Sequence, residues 1–90
     1  MPRYMVEREF PDGLNIPTNA DGAAALGGVV LRNAEEGVSW VHSYVTPDRK
    51  RSFCVYDAPS PEAIRKVGAK NGIPVGAIHE VRVLDPYFYH

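Results

Sequence analysis

Two stretches of the chain alternate with period two on either side of a turn. Along Val38 to Val45, Val41, Ser43 and Val45 fall on one side of an extended strand, and Trp40, His42 and Tyr44 on the other. Along Ser52 to Tyr56, Phe53 and Val55 oppose Ser52, Cys54 and Tyr56. Thr46-Pro47-Asp48-Arg49-Lys50-Arg51 between them is turn chemistry, so the pattern predicts a β-hairpin. Paired residues of an antiparallel hairpin share a face. If the small apolar sets form the core side, paired positions sum to an even number. A register with His42 opposite Cys54, Trp40 opposite Tyr56 and Val41 opposite Val55 satisfies this. A register two residues longer satisfies it equally. The second face then carries an imidazole, a thiol and three aromatics.

The same reading continues in both directions. Arg3 to Phe10 alternates as a strand, with Tyr4, Val6 and Phe10 on one face, interrupted by Arg8, and Met5, Glu7 and Glu9 on the other. Pro11-Asp12-Gly13 ends it, and Leu14 to Pro17 is a loop. Thr18 or Asn19 can cap a helix running to about Glu36, with Ala23, Leu26, Val29, Val30 and Asn33 at helical spacing. Gly27-Gly28 inside it costs about 2 kcal/mol against two alanines, which points to close packing on a sheet. Gly37 ends the helix. After the hairpin, Ser60 caps a second helix with Pro61 at its first position and Glu62 in its first turn. Ile64 and Val67 form its buried side, and Gly72 with Ile73-Pro74 stops it. Ala77 to Leu84 reads as the last strand, followed by the aromatic tail Tyr87-Phe88-Tyr89-His90.

The element order is βαββαβ. With right-handed crossovers it gives an α+β, ferredoxin-like sandwich: an antiparallel sheet of order 4-1-3-2 with both helices on one face. Val6, Val41, Val55 and Val81 are expected under the helices. The other face would expose Trp40, Tyr44 and Tyr56, more aromatic surface than a solitary domain leaves open. A homodimer closing that face is therefore expected.

Composition narrows the function. Residues 1–90 suit one small domain, and a hydrophobic fraction of 44% argues against disorder. A net charge of -1 gives no bulk attraction to nucleic acid or an anionic membrane. No apolar run approaches the roughly 20 residues that span a bilayer, and the N-terminus lacks a signal-peptide plan. The single cysteine excludes an internal disulfide and suits a reducing cytoplasm.

The predicted strand order brings Glu7, Cys54 and His42 onto three neighbouring strands of one face, flanked by Tyr44 and Tyr56. Carboxylate, imidazole and thiolate together suit Ni, Zn, Co or Cu rather than Mg or Ca. The same trio suits a reactive thiolate activated by His42, hence a small enzyme. Each residue also has a plain structural reading. Cys54 can be a small buried hydrophobe, His42 a hydrogen-bonded strand histidine, and Glu7 an ion-pair partner of Arg82. His79 and Glu80 point to opposite faces, His79 as an edge histidine. Glu35-Glu36 and Arg49-Lys50-Arg51 read as solvated charges.

Longer matches add to this. They are Val6-Glu7-Arg8 with Phe10-Pro11, Asn33-Ala34-Glu35-Glu36-Gly37-Val38, Trp40 to Val45, Phe53 to Ala63, and Val81 to Tyr87. Together they resemble a family of small bacterial proteins long catalogued as a domain of unknown function, whose best-known type is an actinobacterial nickel-binding protein. The block from Cys54 through Ala63 is the most specific part. The resemblance implies a ferredoxin-like fold, a homodimer, and Ni2+ binding in nickel sequestration or detoxification. Glu7, His42, Tyr44 and Cys54 fall on strongly patterned family positions and are the candidate metal ligands. Dimer-surface sites using Glu36, His79 or His90 are equally compatible. A nickel binder without catalytic turnover is the first reading. A dimeric enzyme with a Cys54/His42 pocket and a structural or interaction module are the alternatives.

Overall fold

The computed structural model describes residues 1–16 and 18–88. It runs β1 (Arg3–Glu9), α1 (Ala20–Glu35), β2 (Ser39–Val45), β3 (Arg51–Asp57), α2 (Pro61–Asn71), β4 (Ile78–Val81) and a 3-10 turn (Pro86–Phe88). All strand pairs are antiparallel, in the order β2-β3-β1-β4, which is 4-1-3-2 read from the other edge. This is the ferredoxin-like α+β sandwich. Asn19 caps α1 by accepting from Asp21 and Gly22 N–H, and Ser60 caps α2 by accepting from Ala63 N–H. Gly72 closes α2 in the left-handed region at φ 66°, where a Cβ would be strained. The last strand is four residues long, shorter than the expected Ala77 to Leu84. Tyr89 and His90 lie outside the described residues.

The core lies between the sheet and the helices. Tyr4 and Val6 of β1, Cys54 and Tyr56 of β3, and Ile64 and Val67 of α2 pack there with Val38 and Ala58. Alternation along β1 follows the sequence reading, with Arg8 buried beside Val6 on the same face. β3 is turned over relative to expectation. Val6 stands opposite Cys54 and Tyr4 opposite Tyr56, so the thiol and the phenol point toward the helices. Phe53 and Val55 take the open face instead.

The expected hairpin register holds at one end and slips at the other. Trp40 stands opposite Tyr56, but His42 stands opposite Val55, Ser43 opposite Cys54 and Tyr44 opposite Phe53. Val41 is an extra residue between them, a β-bulge, and one extra residue exchanges the faces of everything beyond it. Trp40 Nε1 donates to Ser43 Oγ across the bulge at 2.8 Å, which holds both side chains on the helix side. Of the valines expected under the helices, only Val6 is there. Val55 is buried on the open face, Val81 pairs with Arg3 on that face, and Val41 is 40% exposed. Trp40 and Tyr56 likewise leave the expected aromatic surface, and Tyr44 remains on it, 59% exposed.

Gly27-Gly28 does not pack on the sheet. A Cβ at Gly27 would meet nothing within 4 Å, and one at Gly28 would meet the Arg32 guanidinium. The close approaches are elsewhere. A Cβ on Gly68 would strike Val75, and one on Gly76 would lie 2.6 Å from the Glu7 carbonyl oxygen.

Candidate metal centre

Two rows of side chains cross the open face. One runs His42, Val55, Met5, His79 over β2, β3, β1 and β4. The next runs Tyr44, Phe53, Glu7. Donors therefore stand at both margins, with apolar residues between. On the β4 side His79 Nε2 lies 3.6 Å from Glu7 Oε2, and both side chains are about half exposed. On the β2 side the His42 and Tyr44 rings meet edge to face, with centroids 5.1 Å apart. Strands are about 4.8 Å apart, so His42 and His79 are separated by three spacings, roughly 14 Å. No single ion bridges that distance. Among the described residues, no group of three or more His, Cys, Asp or Glu converges on one point.

Cys54 is removed from this face altogether. It is 8% exposed, sits in the core, and has Ser52 Oγ 3.6 Å from its sulfur. The sheet backbone separates its thiol from the His42 imidazole. That opposition takes the thiol out of a joint site with His42 and Glu7, and it takes away the geometry of a Cys54/His42 catalytic pair. The bulge at Val41 and the turned-over β3 each invert a face, and neither leaves a signature in the alternation itself.

The remaining candidates separate clearly. Glu36 is held by two ammonium groups, Lys70 Nζ at 2.8 Å and Lys66 Nζ at 3.3 Å, and Lys70 also reaches Glu35 at 3.0 Å. The Lys70 hydrogen bond, aided by Lys66, holds the Glu36 carboxyl below its ordinary range. A metal at Glu36 would have to displace both lysines. In the basic turn, Arg51 pairs with Glu9 at 3.2 Å. His90 lies outside the described residues. Glu7 pairs with His79 and not with Arg82, because the β1–β4 register sets His79 opposite Met5 on the open face. The residue that sequence reading undervalued is thus His79, and the clue lay in its parity with Glu7 once β1 and β4 were paired.

The class is therefore a ferredoxin-like α+β domain with imidazole and carboxylate donors along the margins of its open face. Residues 4–81 match the model of the family described as nickel responsive protein SCO4226-like, and the chain belongs to that family. The crystal structure of SCO4226 from Streptomyces coelicolor A3(2) is similar to it, with a TM-score of 0.70 over 92% of this chain and 99% of that one. Identity between the two is 22%, so that likeness speaks for the fold. No curated protein matches the chain. Among the described residues, no helix is long and apolar enough to cross a membrane.

Proposed function

We propose that this protein is a cytoplasmic, homodimeric nickel-binding protein, serving sequestration or detoxification rather than turnover. The single observation that carries the site is the placement of Glu7–His79 and His42–Tyr44 at opposite margins of one face. A twofold axis running along the strands, between two stacked open faces, sets β2 of one protomer over β4 of its partner. His42 then lies above the partner's Glu7–His79 pair, in the same row. Stacked sheets are about 10 Å apart, which two facing side chains span. The apolar centre of the row, Val55 and Met5, faces itself across the axis. Each of two equivalent sites gains two imidazoles and a carboxylate, with Tyr44 beside them, and water completes the shell. That donor set suits Ni2+ and its neighbours, and Cu2+ binds such a set more tightly still. The family's nickel-responsive description supports the choice of metal.

Calorimetric titration of nickel, paired with sedimentation, tests this. One nickel per chain is expected, with His79→Ala and His42→Ala each weakening binding by at least roughly tenfold. Cys54→Ser is expected to leave affinity unchanged. A monomer that binds nickel with full affinity, or binding that survives both histidine substitutions, would overturn the site.

A further inference from the structure

On the other side of the sheet lies a cavity of about 340 Å³ between β1, β2, β3 and α1. Its walls are largely apolar, formed by Leu14, Leu26, Val29, Trp40, Cys54 and Tyr56. Arg8 stands among them. Its side chain is buried, with the residue only 3% exposed. Among the described residues, its Nε and Nη1 have no hydrogen-bond partner and no carboxylate pairs with it. Tyr56 stands beside it, with its ring centre 5.5 Å from the guanidinium carbon and its phenol also interacting with the guanidinium. A guanidinium stays charged and cannot neutralise itself by giving up its proton. Buried without an anion, it is strongly disfavoured, and an aromatic face replaces only part of the lost hydration. An anion entering the cavity would supply the counter-charge that the chain does not.

We infer that this cavity binds a monocarboxylate with an apolar body, its carboxylate on Arg8 and its aliphatic or aromatic portion against α1 and Trp40. Charge-assisted hydrogen bonds from Nε or Nη1 would supply the specificity, and the walls the hydrophobic contact. The volume is at the small end for ligand cavities, which favours a medium-length acid over a long-chain lipid. A dianion or a phosphate fits less well, since among the described residues no second cation lines the cavity. Ser52 and Ser43 are the further polar lining groups. The neighbouring phenol agrees with a dry site: burial pushes Tyr56 up to about 12, Cys54 adding to the effect and Arg8 opposing it. This site is independent of the nickel reading, because it lies on the opposite face of the sheet.

The test uses the full chain and Trp40, its one tryptophan, as the reporter. Octanoate, octanol and sodium chloride are titrated separately, following Trp40 emission. Octanoate is expected to give a saturable change, with octanol weaker by about tenfold or more, the worth of a charged hydrogen bond. Arg8→Met should abolish the preference for octanoate while circular dichroism stays native. Should Arg8→Met not fold, Val29→Phe decides, since it fills the cavity from α1 and must remove octanoate binding. His79→Ala must leave octanoate binding intact. Equal affinity for octanol and octanoate would mark a mere apolar void. A preference for octanoate that survives Arg8→Met, or octanoate binding that survives Val29→Phe, would place it elsewhere, and no saturable change would mean a cavity holding water only. Each of these outcomes overturns the inference.

Discussion

His79 Nε2 lies 3.6 Å from Glu7 Oε2 on the open face of the sheet, where the β1–β4 register sets them on adjacent strands. A metal taken up by this pair competes with a proton on the imidazole, because only neutral imidazole ligates. Nickel affinity should therefore rise with pH, with proton release on binding. His79→Ala should flatten that rise as well as weaken binding, and Glu7→Gln should weaken binding while keeping the rise. Calorimetry in two buffers of different ionisation enthalpy measures the released protons directly. A pH-independent affinity would exclude histidine ligation.

Trp40 and Ser43 bracket the bulge, and the indole N–H to hydroxyl bond at 2.8 Å ties its two sides together. Ser43→Ala leaves the half-buried indole N–H without its acceptor. A loss of about 1 kcal/mol is expected, the usual worth of such a bond. Urea unfolding followed by Trp40 emission measures it. The same variant should lose some affinity for nickel, because the bulge is what aims His42 at the open face.

How much of this was legible in the sequence varies from residue to residue. Element order and the Ser60 cap with Pro61 at the first helical position follow from local rules, the first cap narrows to Thr18 or Asn19, and the sheet order follows from the handedness of the crossovers. Tyr4 and Val6 declare the core face of β1 because the opposite set, Met5, Glu7 and Glu9, is largely charged and offers no rival. The face of β3 was harder, since Phe53 and Val55 are as apolar as Cys54 and Tyr56 and either set could turn inward. Pairing with Val6 and Tyr4 decides it, and pairing is a tertiary fact. The bulge at Val41 is a tertiary fact too. Arg8 interrupts an apolar stripe in the sequence, a visible irregularity whose meaning depends on the cavity that α1 leaves over it.

The glycines separate backbone need from habit. A Cβ at Gly76 would lie 2.6 Å from the Glu7 carbonyl oxygen, which accepts the Gly76 N–H at 2.9 Å. Gly76→Ala must push this segment away from β1, at a cost of about 1–3 kcal/mol. It should also disturb nickel binding through Glu7. Gly27→Ala meets nothing, and in mid-helix it should stabilise by about 0.5–1 kcal/mol. Thermal or urea unfolding of the two variants should therefore move in opposite directions. A neutral Gly76→Ala would show that β1 and the strand entry are less tightly apposed than the structure has them.

Carboxylates held below their ordinary range tie stability to acid pH. Lys70, with Lys66, lowers the Glu36 carboxyl, and Arg3 lowers Asp57 through hydrogen bonds of 2.9 and 3.1 Å. A folded-state pKa below the unfolded one means the unfolded chain takes up protons first. The stabilisation is then fully present above the ordinary carboxylate range and is lost as pH falls through the folded values. Folding stability should fall from about pH 5 downward, and more steeply at low salt, since these pairs are solvent-accessible and screened. Glu36→Gln should reduce the slope of urea midpoint against pH between about 5 and 3, and Asp57→Asn should do so independently, because the two pairs share no partner. The Glu36 variant carries a second reading. If nickel affinity at pH 7 is unchanged in Glu36→Gln while the acid slope falls, this glutamate serves the α1–α2 contact and not the metal. A variant that loses nickel instead would move the metal centre from the sheet to the helix ends.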